Sequence, residues 1–531
     1  MNNTTWLRAS LLAVLIIGGI FLANRDSVFP QTFSTSVRGL PEAKPAQIVE
    51  LTDGDTIDLT AGFVKKNING NEVRMLAYNG SIPGPILKVS QGASITVNFK
   101  NDTDLANTIH AHGVRMKNAF DGVPDVTQKA VLVGGSFTYT LSFPDDGMYW
   151  YHPHVRDDYA IEMGLYGNMW VTPKAGSSWN PVDREVPLFI DDILLLNGAL
   201  APFRKDGADR TLMGRYGNTM FVNGETDYAL AVKRGEVIRF YFTNSANVRP
   251  FNLAIAGAKM KLVGGDSGLY ERDRWSDAVL VNPSERAIIE VLFDTAGEYA
   301  LQNKTPEVTY TLGTITVSNE QTVSAAEKSF ATLRAHPEVI KSIDSFRSSF
   351  AKNPDKSIKL AVDMMGNTQT MMGGQGEHRM PDGTQMGGGM GMTMGVPEGG
   401  IEWEDADMSA MNSMSGAMGV AWNIIDQDTG KKNMAIDWKF KAGDTVKIRI
   451  TNDAASMHPM QHPIHFHGQR FLVVNKNGVA QTNLVWKDTV LVPAGEYADI
   501  LLDASNPGTW MAHCHILEHI EAGMMFSFKV E

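Results

Sequence analysis

The residues in this chain best suited to chemistry are its histidines and its single cysteine. Ten of the thirteen histidines fall into four short motifs: His110-Ala111-His112-Gly113, His152-Pro153-His154, His462-Pro463-Ile464-His465-Phe466-His467 and His513-Cys514-His515-Ile516-Leu517-Glu518-His519. Residues two apart on a strand face the same way, so each His-x-His pair presents two imidazoles together. Four such pairs in one chain point to bound metal, although imidazole suits copper, iron, nickel and zinc alike. The cysteine selects among them. Cys514 lies between His513 and His515 and therefore faces away from both. His462 stands an odd number of residues before His465 and can face the same way as Cys514. His519 and Met524 follow shortly after. Two imidazoles, one thiolate and a weak thioether make a blue-copper electron-transfer site.

These residues need strands to hold them, and the chain writes one strand pattern three times. VSQGASITVNFKN, VKRGEVIRFYFTN and FKAGDTVKIRITN end at Asn101, Asn244 and Asn452, with Gly92, Gly235 and Gly443 each nine residues earlier. Alternating apolar residues between them read as a turn and a half-buried strand. Val131-Leu132-Val133, Val279-Leu280-Val281 and Val490-Leu491-Val492 then lead to Gly147, Gly297 and Gly508. The repeat predicts three all-β modules, each a sandwich or barrel. His152 and His154 lie five and seven residues after Gly147, as His513 and His515 do after Gly508. The same offsets from Gly297 give Gln302 and Lys304, with Asn303 in the place of Cys514. The middle unit thus keeps the pattern and lacks the ligands, and reads as a spacer.

The 531 residues are 43% hydrophobic and 20% charged with a net charge of −12, which describes a globular, acidic chain of several domains. No basic stripe occurs, which excludes nucleic acid as a partner. Thirteen apolar residues, Leu11 to Ala23, follow Arg8 and make 1–24 a signal peptide or an N-terminal membrane anchor. The expected location is outside the cytoplasm: periplasmic, secreted or anchored facing outward. Units are expected at 45–176, 180–320 and 358–531. A helical linker is expected at 321–357, with Pro337 at a helix start and Val339, Ile340, Ile343, Phe346 and Phe350 along one face. Residues 364–418 hold 13 of the 28 methionines and many glycines, and read as a loop insert.

The four motifs, in this order and spacing, resemble the multicopper oxidase family, over about 45–531 less the insert and linker. The resemblance implies three cupredoxin-like Greek-key domains and four copper ions. It implies a type 1 copper on His462, Cys514 and His519 with Met524 axial, and a type 2 copper on His110 and His465. It implies a type 3 pair on His112, His152, His154, His467, His513 and His515. The activity implied is one-electron oxidation of a substrate coupled to reduction of O2 to water. Asp121 matches the family's proton-donating acid. Many members place a second acid directly after the last type 1 histidine, where this chain has Ile520, so Glu521 and Glu518 are the candidates nearby. Many carry Trp where this chain has Ala111. Thioethers favour Cu(I), so the insert, with Met457 and Met460, predicts a cuprous oxidase serving copper tolerance. A laccase-like phenol oxidase, taking small reducing organic substrates, and a copper-sequestering protein are the alternatives. A copper nitrite reductase is disfavoured, because it would lack these paired histidines. His378, inside the insert, could join a Cu(I) site. His336 and His458 are expected to be structural.

Overall fold

A computed structural model describes residues 31–174, 176, 179–364, 396–404, 409–416 and 419–531. Residues 1–24, expected to be a signal peptide or membrane anchor, and His378 lie outside these residues, as does most of the Met-rich insert.

Three pairs of sheets follow one another along the chain, as the repeat predicts. In the last, the strands Trp438–Phe440, Met525–Val530, Gly508–Cys514, His462–Phe466 and Thr489–Val492 lie side by side in that order. The middle sheet repeats this order with Tyr228–Arg234, Thr309–Gln321, Gly297–Lys304, Phe251–Ile255 and Val279–Val281. In the first, Gly147–His152 lies between Gly167–Thr172 and the short strand His110–His112. The predicted fold, all-β with cupredoxin-like modules, is therefore the observed one.

The repeated glycines and asparagines hold this plan together. Gly92, Gly235 and Gly443 have φ of 92°, 91° and 94°, and Gly147, Gly297 and Gly508 have φ of 137°, 146° and 149°. Only glycine adopts these values without strain, so each opens its strand with the same turn. Each asparagine is buried and does one job three times. The Asn101 side-chain amide donates to Val131 O at 2.9 Å, Asn244 to Val281 O at 2.9 Å and Asn452 to Val492 O at 3.0 Å. This register corrects the alignment of the valine triplets. Val131 is the counterpart of the third residue of each later triplet, Val281 and Val492, not of the first. Leu132 and Val133 lie in the turn that follows, 72% and 57% exposed.

The linker is shorter than expected, because Thr309–Gln321 and Lys356–Met364 are strands. Between them are the helices Glu327–Phe330 and Pro337–Asp344, the second with Pro337 in its first turn. Ile343 is buried among Leu472, Val474, Leu484, Trp486 and Leu501, with Val339, Phe346 and Phe350 packed around it. Among the described residues of the insert, Glu398–Gly400 forms a turn and Ser409–Met414 a helix. No helix among the described residues is long and apolar enough to cross a membrane.

Several carboxyl groups are buried where the units meet. Asp191, on the strand Arg184–Ile193, is pushed up to about 8, chiefly by burial. Its native form holds a proton that the unfolded chain releases near pH 3.8. Folding stability from this group is therefore lost as pH rises from about 4 to about 8, and levels off above. Asp191→Asn removes that titration. Thermal unfolding of the copper-free protein should show wild type losing ground to the variant across this window, and parallel curves would refute it.

Candidate metal centres

Strand pairing brings the motifs together. Antiparallel pairing sets His110 opposite His152 in the first unit, and His465 opposite His513 with Ile464 opposite Cys514 in the third. The eight paired imidazoles converge between these units, each at least 93% buried. Their ring nitrogens form compact groups: His112, His152 and His515; His154, His467 and His513; and His110 and His465 together with His112. Within each group the candidate ligand atoms lie within 4.8 Å of one another.

One detail departs from the expectation of side-by-side pairs. Only His110 and His112 both lie inside a strand. The strands Gly147–His152, His462–Phe466 and Gly508–Cys514 end before His154, His467 and His515. As the backbone leaves the pleat, the two members of each of these pairs part and enter different groups.

Hydrogen bonds fix the orientation of six rings. His110 Nδ1 donates to Asp121 O at 2.7 Å, His152 Nδ1 to Pro153 O at 2.6 Å and His465 Nδ1 to Asp488 O at 2.8 Å. His513 Nδ1 donates to Cys514 O at 2.8 Å and His467 Nδ1 to Asp121 Oδ2 at 2.9 Å. His112 is turned the other way, with Nε2 donating to Asp488 Oδ1 at 3.0 Å. Each remaining nitrogen is then a lone pair aimed inward. Burial, reinforced by neighbouring imidazoles, holds His112, His152, His154, His465, His467 and His515 well below the usual histidine range, so they are neutral and ready to ligate.

This donor set fits copper. Among the described residues, Nε2 of His110, His154, His465 and His515 has no hydrogen-bond partner although buried. His467 Nε2 and His513 Nε2 face each other at 3.0 Å, two lone pairs that repel unless a cation lies between them. Buried polar atoms in folded proteins are almost always satisfied, so such a concentration of exceptions marks a cation site.

On the other side of the Cys514 backbone lies the second centre. Cys514 Sγ is 3.5 Å from His462 Nδ1 and 3.7 Å from His519 Nδ1. Alternation thus separates the sulfur from His513 as the sequence predicts. Met524 is fully buried, and its carbonyl accepts from the Cys514 amide at 3.1 Å. Trp422 stacks on His519, ring centroids 4.1 Å apart, and packs edge-on against His462 at 4.8 Å. Burial pushes the Cys514 thiol up, so copper binding there must displace a proton.

The acids divide unequally. Asp121 is in place: its Oδ2 holds His467, while Oδ1 is unpartnered by hydrogen bonds and 3.3 Å from His110 Nδ1. Glu521, pushed up to about 7 chiefly by burial and then by Asp158, lies beside Arg156 and Asp157 and in none of the ligand groups. The acid that approaches a paired histidine on this side is Asp157, with Oδ2 3.6 Å from His154 Nδ1. Glu518, pushed up to about 8 by burial, accepts from Asn247 at 3.0 Å. His336 is structural as expected, bonded to Asp273 at 2.8 Å. His458 is buried, and among the described residues neither ring nitrogen has a hydrogen-bond partner.

Sequence reading missed Asp157, Asp488, Trp150 and Trp422. Asp157 and Asp488 were in reach, three residues after His154 and one before the strand Thr489–Val492. Trp150, whose ring lies 4.2 Å from that of His152, shares its strand. Trp422 carries no spacing signal, because it arrives from a separate strand, Val420–Asp426.

Gly122 shows how tightly Asp121 is set. It has φ of 83°, and a Cβ there would lie 2.0 Å from Ile109 O, beside the His110 strand. Gly122→Ala should destabilise the copper-free protein by more than the roughly 1–3 kcal/mol of left-handed strain alone. It should also lower copper binding at the histidine cluster, by shifting Asp121 from His467. Denaturant unfolding and metal analysis test both.

Comparison with known proteins gives the same picture. Multicopper oxidase family models match residues 61–176, 192–326 and 404–531. Laccase-8 of Oryza sativa subsp. japonica is 25% identical, over 87% of this chain and 91% of its own. A copper resistance protein A homolog of Pseudomonas syringae pv. tomato is 24% identical, over 90% and 92%. The solved structure of a Campylobacter jejuni multicopper oxidase, titled a metallo-oxidase, shares the fold with a TM-score of 0.66 at 22% identity, over 94% of this chain and 99% of its own. Three matched segments span most of the chain, and its converging histidines and lone cysteine are set as copper chemistry requires: this chain belongs to the multicopper oxidase family.

Proposed function

We propose that the chain is a cuprous oxidase: it takes electrons from Cu(I) outside the cytoplasm and passes them to O2. Four Cu(I) ions, one O2 and four protons give four Cu(II) ions and two waters. We assign His462, Cys514, His519 and Met524 to type 1 copper, and His110 and His465 to type 2. His112, His152 and His515 are assigned to one type 3 ion and His154, His467 and His513 to the other, four resident ions in all. Copper held there supplies one-electron oxidation at the first site and O2 reduction at the cluster. The chain supplies the rest. Cys514 and His513 are adjacent in sequence and also joined by the 2.8 Å bond from His513 Nδ1 to Cys514 O, a short path from sulfur to imidazole. Asp121, with one oxygen uncommitted, is assigned to proton delivery and Glu521 to a more distant role in the same supply. The apolar run Leu11 to Ala23 supports export.

The observation that carries the cuprous reading is how the type 1 residues are covered. His462 and His519 are 1% and 0% exposed. Two described stretches in the C-terminal part of the insert are fastened near them. Glu402 exchanges backbone bonds with the Gln461 side chain, next to His462, and Glu404 pairs with Arg249 at 2.9 Å. Asn412 and Ser415 bond Met213 and Leu212 of the middle unit. A bulky phenol meets a closed surface, whereas a metal ion can be handed inward by thioethers.

Oxygen uptake with Cu(I) and with a small phenol decides between substrates. Replacing 366–394 by a short Gly/Ser linker leaves both anchored stretches, 402–404 and 412–415, in place. It should lower Cu(I) turnover about tenfold, about 1.4 kcal/mol of lost stabilisation, without lowering phenol turnover. Unchanged Cu(I) turnover would favour the laccase-like reading. Cys514→Ser should lose both the blue colour and the oxygen uptake. Binding of many more than four coppers with negligible oxygen uptake by the wild type would instead indicate sequestration.

A further inference from the structure

The middle unit holds none of the assigned ligands, yet one of its side chains reaches the junction beneath the cluster. Arg286 opens the strand Arg286–Leu292 and is 2% exposed. Its guanidinium bonds all three units. Nε donates to Met148 O of the first unit at 2.9 Å, and Nη1 to Ser284 O of its own at 2.8 Å. Nη1 donates to Asp488 Oδ1 of the third unit at 2.9 Å, and Nη2 pairs with Asp488 Oδ2. Nη2 also reaches Asp266 O at 3.1 Å.

Asp488 touches two cluster histidines. Its Oδ1 accepts from His112 Nε2 at 3.0 Å and from Thr489 Oγ1 at 2.9 Å, and its backbone oxygen accepts from His465 Nδ1. Asp488 is 0% exposed, and a carboxyl group buried this deeply needs partners for both of its oxygens. The planar fork of an arginine supplies the charge and both donors at once. Gly113, directly after His112, independently shows that the space belongs to this pair. A Cβ there would lie 2.3 Å from Asp488 Oδ2 and 2.9 Å from Arg286 Nη2.

We propose that Arg286 is a positioning residue for the copper cluster: it holds Asp488 against His112, so that His112 carries its proton on Nε2 and turns Nδ1 toward His152. His112 Nδ1 lies 3.5 Å from His152 Nε2, as this tautomer requires. The middle unit then does more than space its neighbours, since it sets which nitrogen of a ligand is free. The proposal rests on the assignment of His112 and His465 as copper ligands.

The test compares copper content, the type 1 and type 2 electron paramagnetic resonance signals and the blue absorbance in Arg286→Met, Arg286→Lys, Asp488→Asn and the double variant Arg286→Met/Asp488→Asn. Arg286→Met is expected to keep a full type 1 signal, and to bind cluster copper about 10–100-fold more weakly, with an altered type 2 spectrum. Arg286→Lys, which keeps the charge and loses the fork, should fall between. The double variant should be no worse than the poorer single one, because both act through one contact. Wild-type cluster affinity and spectrum in Arg286→Met overturns the proposal, as does equal loss of type 1 and cluster copper, which marks general unfolding. If Arg286→Met fails to accumulate, Arg286→Lys decides by the same signals, and a wild-type result there overturns the proposal. A wild-type protein that binds no cluster copper would overturn the ligand assignment itself.

Discussion

Eight imidazoles packed into one chamber, with ring nitrogens aimed at one another, are the arrangement on which the rest of the molecule depends. It is unfavourable by itself. Hydrogen bonding is lost at several buried nitrogens, and His467 and His513 face each other directly. A cation reverses the sign of those contacts, so the protein and its metal stabilise each other. The scaffold's part is to prevent the rings from turning away to find other partners. It does so with carbonyls and two carboxylates fixed by the fold: Asp121 and Pro153 from the first unit, Asp488 and Cys514 from the third. The ligands thus depend on bonds formed by the surrounding backbone, and no single unit supplies them all.

The triplicate module explains how such precision is reached by simple means. Each unit uses a left-handed glycine, a strand and a buried asparagine whose amide ties the strand end to a neighbouring carbonyl. That tie fixes the register of the strands carrying the motifs, and register decides which face every side chain takes. Cys514 faces the core of its own module, while His513 faces the first unit. The two centres are therefore separated by one backbone, and their spacing is inherited from strand geometry.

The middle unit shows what repetition alone does not reveal. It keeps the strand order and omits the histidines, yet its buried charges bind the other units together. Arg286 joins Asp488, while Lys487 joins Asp266 at 2.9 Å and Glu285 at 3.2 Å. Desolvation offsets much of the attraction in buried ion pairs, so such pairs are weak evidence of stabilisation. Their value here lies in direction, since an arginine fork admits few orientations of the carboxylate it holds. On the other side of the cluster, Asp157 stands near His154 while Ile520 fills the position after His519.

The sequence alone determined the all-β modules, their threefold repetition and the pairing of histidines along the strands, because strand alternation is a period-two property that survives in one dimension. It also located the single sulfur opposite its flanking imidazoles, for the same reason. It misplaced the valine triplet of the first unit, since Leu132 and Val133 match the pattern and yet lie in a solvent-exposed turn. Only the tertiary structure gathered the rings into the groups His112, His152 and His515 and His154, His467 and His513, because His154, His467 and His515 lie just beyond their strands, where alternation no longer governs. It alone identified Arg286, Asp488, Asp157 and Trp422 as the surroundings of those ligands. These are contacts between segments as much as 376 residues apart, as between His112 and Asp488, and no local period encodes which distant carboxylate or ring will arrive.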